Sequence, residues 1–402
     1  MNKLHDSLKF LFFTLFISSS QVGLGINLNL FPLDNYNQKV DNWIDPNDPH
    51  YNKPLLSTAM QKKYYNLFLK RYFGNYSPWN ANFVEKVLSQ SAPDNIPTIE
   101  EKIIEQFNNE GKPPEKIGYG ENFRPYTKAW IDAIADNVDV KHFAQLTYQA
   151  SNRAIATDNL NARVLPTDDV HFYNHEIAGQ GYPFDNLQIS AIYVGTPVYI
   201  IGQTRDHTWS LILTPDLIGW VKSNGLAYAH NNFISDWTKA ANNKLIAITK
   251  NKTAILNNQQ NFLFYTYIGT FFPVNDENKI LIPVKDVNQA ATIQFNKIDD
   301  TYMSFIPATM TTHAVADILS KQISRPYGWG NMYFYNDCSA ELKNLFITFG
   351  IWLPRHSSDQ VHVGKMIDVS QLSPKQRIDY LMKNGMNHQI IYFMLNPLTC
   401  QV

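Results

Sequence analysis

The chain has 402 residues and a formal net charge of −1. That length leaves room for roughly two to four domains, and the near-neutral charge argues against nucleic acid or an anionic membrane surface as a partner. Only 17% of the residues are charged while 13% are aromatic, which fits packed modules under a weakly charged surface and excludes a disordered chain.

In chain order, Lys3 and Lys9 precede the apolar run FLFFTLFISSS, and the small-residue stretch QVGLG follows. A basic head, a short apolar run and a small-residue exit predict a secretory signal peptide over 1–25, a mature start near Ile26, and a periplasmic or secreted protein. A buried N-terminal helix is the alternative. No later stretch is long enough for a membrane helix, and two cysteines make no disulfide framework.

From 26 to about 157 the text is helical or extended. STAMQKKYYNLFLKRYF has apolar residues at helical spacing, with Ser57 and Thr58 as caps. TIEEKIIEQFNNEG opens on Thr98 with Glu101 three residues later, the pattern of a capping box, and closes on Gly111. YTKAWIDAIADNV and VKHFAQLTYQASNRAIA predict two more helices. Strand signals then take over. TPVYIIGQTRDHTWSLILTPDLIGWVKSNGLAYA carries three short β-rich runs between polar turns, and KLIAITKNKTAIL, FLFYTYIGTFFPV, KILIPVKD and AATIQFN form a second set. Two β modules of similar size predict a pair of small SH3-like barrels. TTHAVADILSKQIS returns to helix, and the absence of a low-complexity linker predicts modules packed against each other.

Cys338 follows Asp337, a good N-cap residue, and Leu342, Leu345, Phe346 and Phe349 then fall on one helical face up to Gly350. A cysteine in the first turn of a helix meets free N–H groups and the positive end of the dipole. Both favour the thiolate and lower a thiol pKa from about 8.5, as a nucleophile requires. Two plainer readings stand beside this one. Cys338 is a small buried residue, or it pairs with Cys400 in a disulfide that export permits.

YGWG at 327–330, NDCS at 336–339, FGIWLPR at 349–355 and SSDQ at 357–360 together resemble the catalytic segment of the NlpC/P60 family of papain-like cysteine peptidases. YGEN at 119–122, NARVLPTDD at 161–169 and YPFDNLQISAIYVGTPVYI are similar to the subgroup with an N-terminal stabilising domain and two bacterial SH3-like domains. The resemblance implies an α+β protein: a signal peptide 1–25, a stabilising domain 26–157, SH3-like domains 158–232 and 243–298, and a catalytic domain 308–402. It implies a peptidoglycan hydrolase that cuts stem peptides between γ-D-glutamate and the diamino acid. On it, Cys338 is the nucleophile, and its own N–H contributes to the oxyanion site. Asp337 and Ser339 contact the free amino end of the substrate or shape the groove, and Tyr327 and Trp329 wall it.

A thiol nucleophile also needs a base. In the family this is a histidine in a Gly-His-apolar strand after the segment matching LMKNG. Here IIYF is followed by MLNPLTCQV, which has no histidine, so the expectation is a catalytic domain incomplete at its C-terminus. Of the 11 histidines, His388 is the nearest substitute; His356, where the family commonly has asparagine, and His362 have less support. Without further strands, the face of Leu342, Leu345, Phe346 and Phe349 is expected to lack cover. No Cys/His pair has ligand spacing, so no metal or other cofactor is expected. The expected partners are peptidoglycan stem peptides. Two functions follow: a cysteine endopeptidase, or a catalytically inactive muropeptide-binding protein.

Overall fold

The structure, a computed structural model, describes residues 37–89, 95–143, 146–177, 179–363 and 367–384. The expected signal peptide, His388 and Cys400 lie outside these residues. Residues up to Trp43 form one unit, of which a single 3-10 turn, Val40–Asn42, is described. The rest of the chain forms the other.

Helix α1 (Thr58–Phe73) starts at Ser57, whose hydroxyl accepts from Met60 N–H, as the sequence predicts. Helices α2 (Ala81–Ser89), α3 (Ile96–Phe107) and α4 (Lys128–Val138) follow. The capping box at Thr98 does not form. Asn95 caps α3 instead, accepting from Thr98 N–H and hydroxyl, because Pro97 fits the first turn, where no N–H is needed. The helix expected from VKHFAQLTYQASNRAIA is also replaced. Val140–Phe143 and Ala150–Asn152 are 3-10 turns, and Arg153–Ala156 is strand β1. Ladder pairing of β1 with two neighbours outweighs its helical spacing.

β1 belongs to a seven-stranded antiparallel sheet with β2 (Leu160–Arg163), β3 (Gln188–Ile192), β4 (Pro197–Gln203), β5 (Trp209–Leu213), β6 (Ile218–Lys222) and β7 (Leu226–Tyr228), in the order β3-β2-β6-β5-β4-β1-β7. The first strand of this sheet starts at Arg153. Its strands are buried on both faces. Val198, Ile200, Ile212 and Val221 point into the module's own core. The alternate residues Tyr199, Ile201, Leu211, Leu213 and Trp220 form a second core with Val84, Ile96, Phe107, Ile131, Ile134 and Val138 of α2–α4. Covering that outer face stabilises by about 1.5–3 kcal/mol per large side chain.

Helix α5 (Asn231–Asn243), missed in the sequence, carries Phe233, Trp237 and Ala241 at four-residue spacing onto the second β module. That module comprises β8 (Leu245–Ile248), β9 (Thr253–Leu256), β10 (Phe262–Thr266), β11 (Phe271–Pro273), β12 (Ile280–Lys285), β13 (Ala291–Asn296) and β14 (Met303–Ile306). Small sheets β11-β8-β14, β9-β10 and β12-β13 surround one core, which also takes in Phe68, Tyr72 and Phe73 of α1.

Helix α6 (Thr312–Ser320) and helix α7 (Cys338–Ile347) lead to the short α8 (Ser357–Gln360) and to α9 (Pro374–Asn384). The apolar face of α7 is covered, contrary to expectation. Leu345, Phe346 and Phe349 are buried with Ile268, Ile318, Ile351 and Leu353, and Leu56, Tyr64 and Leu342 pack against them. Among the described residues the cover comes from α6, the second β module, α1 and the segment before it.

Candidate active site

Asp337 caps α7 with extended backbone, and its Oδ1 accepts from Ala340 N–H at 2.9 Å. Cys338 thus opens the helix, as the sequence predicts, and its side chain is an exposed free thiol. The N–H groups of Ser339 and Cys338 face the sulfur and favour the thiolate. Enclosure by protein outweighs them, and the Asp337 carboxylate adds to it, so the thiol is pushed up from its ordinary range. The helix start alone does not activate it, which corrects the expectation of a lowered pKa.

The neighbours of the thiol are held tightly. Asp337 takes Gly330 N–H at 3.1 Å on Oδ2 and the Ser339 hydroxyl at 3.1 Å on Oδ1. Arg355 grips both of its oxygens, at 3.1 and 2.6 Å, and donates to Ser339 Oγ at 2.8 Å. Asp337 and Ser339 are only 9% and 5% exposed. A carboxylate has about four lone-pair sites, so Asp337 has none spare for a substrate amine. Gln360 Nε2 locks the same turn through the Ser339 carbonyl at 2.9 Å.

Before the cysteine, Gly330, Asn331, Tyr333 and Phe334 all have φ near +60° (60, 60, 55 and 61°). Such backbone is costly for tyrosine and phenylalanine. Anchors offset the cost: Gln188 Nε2 donates to Gly330 O at 3.0 Å, Arg325 Nη2 to Phe334 O at 2.7 Å, and Phe334 stacks on Tyr267 at 4.9 Å. A Cβ at Gly330 would lie 2.7 Å from the Gln188 backbone oxygen, so the turn and β3 touch only through glycine. The Gly330 carbonyl is thus spent on the first β module.

Tyr327 is exposed and Trp329 is half-buried. Burial raises the Tyr327 pKa to about 12, so its hydroxyl stays a neutral donor and acceptor near Cys338. Trp329 meets Phe184 edge-on at 5.2 Å and donates from Nε1 to Asp185 O at 3.1 Å. Asp185 is itself buried against Arg163 at 2.8 Å, so the stretches NARVLPTDD and YPFDN act together to seat the indole. Behind the site, Asn336 Oδ1 accepts from Asn331 and Asn344 at 3.0 and 2.9 Å, and Asn344 donates to Tyr193 at 3.2 Å. Sequence reading missed Arg355, Ser190, Gln360 and these asparagines. The quoted motifs contain Arg355, Ser190, Gln360 and Asn336, but nothing local assigns them partners.

His356 sits at the start of α8, with its pKa lowered by partial loss of water around the ring and by neighbouring Arg355. Among the described residues no histidine is hydrogen-bonded to Cys338, and no group of His, Cys, Asp and Glu could hold a metal.

Residues 25–143 match the N-terminal NLPC_P60 stabilising domain, and 171–222 match an SH3 domain of the SH3b1 type. The structure is similar to that of an NlpC/P60 endopeptidase from Photobacterium damselae subsp. piscicida. Identity is 30% over 89% of this chain and 77% of that one, with a TM-score of 0.76. An NlpC/P60 family protein from Bacillus cereus is also similar, at 17% identity over 55% of this chain and 80% of that one, with a TM-score of 0.39. No curated protein matches the sequence. A stabilising domain and an SH3b module joined to a cysteine at a helix start define a class of cell-wall protein. The chain belongs to the NlpC/P60 family.

Proposed function

We propose that the protein is a peptidoglycan stem-peptide endopeptidase that cuts the γ-D-glutamyl–diamino acid bond, acting outside the cytoplasm after export by residues 1–25. The observation that carries this reading is the free, exposed Cys338 at the capped start of α7, beside the Tyr327 hydroxyl. In the reaction Cys338 Sγ attacks the amide carbonyl, and the oxygen that gains charge takes the Cys338 N–H and the Tyr327 O–H. The C–N bond breaks to a thioester, the thiol proton passes through a base to the leaving amine, and water then releases the peptide acid. His388 is the base proposed from sequence; it lies outside the described residues. The stabilising and SH3b matches and the endopeptidase relative support a peptidase of the cell wall.

The experiment is to incubate the exported chain with L-Ala-γ-D-Glu-diaminopimelate and follow products by mass spectrometry. Release of L-Ala-D-Glu is expected, and Cys338→Ala should lower it by roughly a thousand-fold or more. A second reading, a muropeptide-binding protein without catalysis, is favoured by the raised thiol and the lack of an imidazole on it among the described residues. Binding of the tripeptide by parent and Cys338→Ala alike, with no cleavage by either, would establish that reading over the first.

A further inference from the structure

We infer that Arg355 is a positioning residue, the strut through which strand β3 of the first β module fixes both residues that flank Cys338. The inference rests on reading Cys338 as the reactive thiol. Arg355 is 3% exposed, and every nitrogen of its guanidinium is used. Nε donates to Ser190 Oγ at 2.7 Å, Nη1 to Asp337 Oδ1 at 3.1 Å and to Ser339 Oγ at 2.8 Å, and Nη2 to Asp337 Oδ2 at 2.6 Å. Ser190 is itself 3% exposed and belongs to β3, and its hydroxyl also reaches Asn331 Oδ1 at 3.3 Å. One planar fork therefore spans three elements, α7, β3 and the turn before the cysteine. A lysine, with a single nitrogen, cannot span them.

The consequence for the thiol is electrostatic. The charged and titratable groups around it are Asp337 and Tyr327, which oppose the thiolate, and Arg355, which favours it; His356 lies beside Arg355 and is exposed. Removing the guanidinium leaves a buried carboxylate one residue from the sulfur with no counter-charge. It also removes one of the two bonds of the Ser339 hydroxyl, which keeps only Asp337, so the first turn loses both its lateral fixation and its charge balance.

The test is the pH profile of Cys338 alkylation by iodoacetamide in the full chain, read by peptide mass spectrometry so that Cys400 is counted separately. Arg355→Met should move the midpoint up by about one pH unit and slow reaction at pH 7 about ten-fold. Arg355→Met with Asp337→Asn should return the profile towards the parent, since asparagine still caps the helix. Ser190→Ala keeps the charge and removes the tie to β3 together with the contact to Asn331; it should slow the reaction about two-fold. A parent-like profile for Arg355→Met, or no recovery in the double variant, overturns the inference. If Arg355→Met does not fold, Ser190→Ala decides, and an unchanged profile there overturns the tie to the β module. A purely structural arginine would lower the melting temperature without moving the profile. Because the readout needs no turnover, failure to cleave the tripeptide would sink the proposed function and leave this result standing.

Discussion

At the scale of single residues the site is governed by which polar groups have spare capacity. Cys338 has a raised pKa because enclosure and Asp337 outweigh two N–H groups and Arg355. Its nucleophilic form is therefore scarce at neutral pH and grows as pH rises past the ordinary thiol range near about 8.5. Alkylation of Cys338 in the parent at pH 7 should be slower than that of an unstructured cysteine peptide, and faster alkylation would contradict the balance described. Glu100 gives a second pH effect. It is buried, accepts from Trp220 Nε1 at 2.9 Å, and has its pKa raised by burial to about 7. The folded state then holds a proton that the unfolded state loses near about 4.5, so stability falls as pH rises from about 4.5 to about 7. Glu100→Gln should raise the melting temperature at pH 8 by several degrees and leave it little changed at pH 4; equal shifts at both would disprove the assignment. Asp337 as a cap and Cys338 in the first turn were legible in sequence, since both are local. The Arg355–Ser190 contact spans 165 residues, and no local pattern announces it.

At the scale of elements, helices with a cap and a clean apolar period were legible: α1, α4, α6 and α7. The failures share a cause. Val140–Ala156 reads as a helix by spacing, yet Ala154 and Ile155 gain more by pairing with Val198 and Pro197 on one side and Tyr228 and Ala227 on the other. Tertiary pairing overrides weak propensity there. The strands β4 and β5 were recognised, but why both of their faces are apolar became clear only with α2–α4 laid on the outer one. Gly202, at a register shift of β4, marks how close that contact is. A Cβ there would sit 1.8 Å from Phe143 Cε1. Gly202→Ala should destabilise by about 1–3 kcal/mol in a denaturant titration, and a parent-like midpoint would show that Phe143 moves aside freely.

At the scale of the whole molecule, the unit from Ile44 onward is joined by contacts that ignore its module boundaries. Gln61 of α1 bonds to the carbonyl of Ala308, and Trp79 Nε1 bonds to Ala154 O at 2.8 Å. Lys343 on α7 pairs with Asp216 at 3.0 Å, and Trp352 Nε1 binds the same carboxylate at 2.7 Å. Both side chains of the ion pair are largely buried, so losing one partner leaves a costly lone charge. Calorimetry should therefore give one unfolding transition, with van't Hoff and calorimetric enthalpies in agreement; two resolved peaks would show independent modules. Lys343→Met should lower the melting temperature and make Cys338 react like a denatured thiol at lower temperature than in the parent.

The sheet of the first β module, apolar on its outer side, has a further meaning for how such genes can be recombined. A fragment carrying β1–β7 without α2–α4 would present Tyr199, Ile201, Leu211, Leu213 and Trp220 to water. A contiguous apolar surface of that kind drives a soluble chain to aggregate. The exchangeable cassette is therefore the helices and the sheet together, and fusion boundaries drawn at the repeat-like β text alone would cut through a single hydrophobic core.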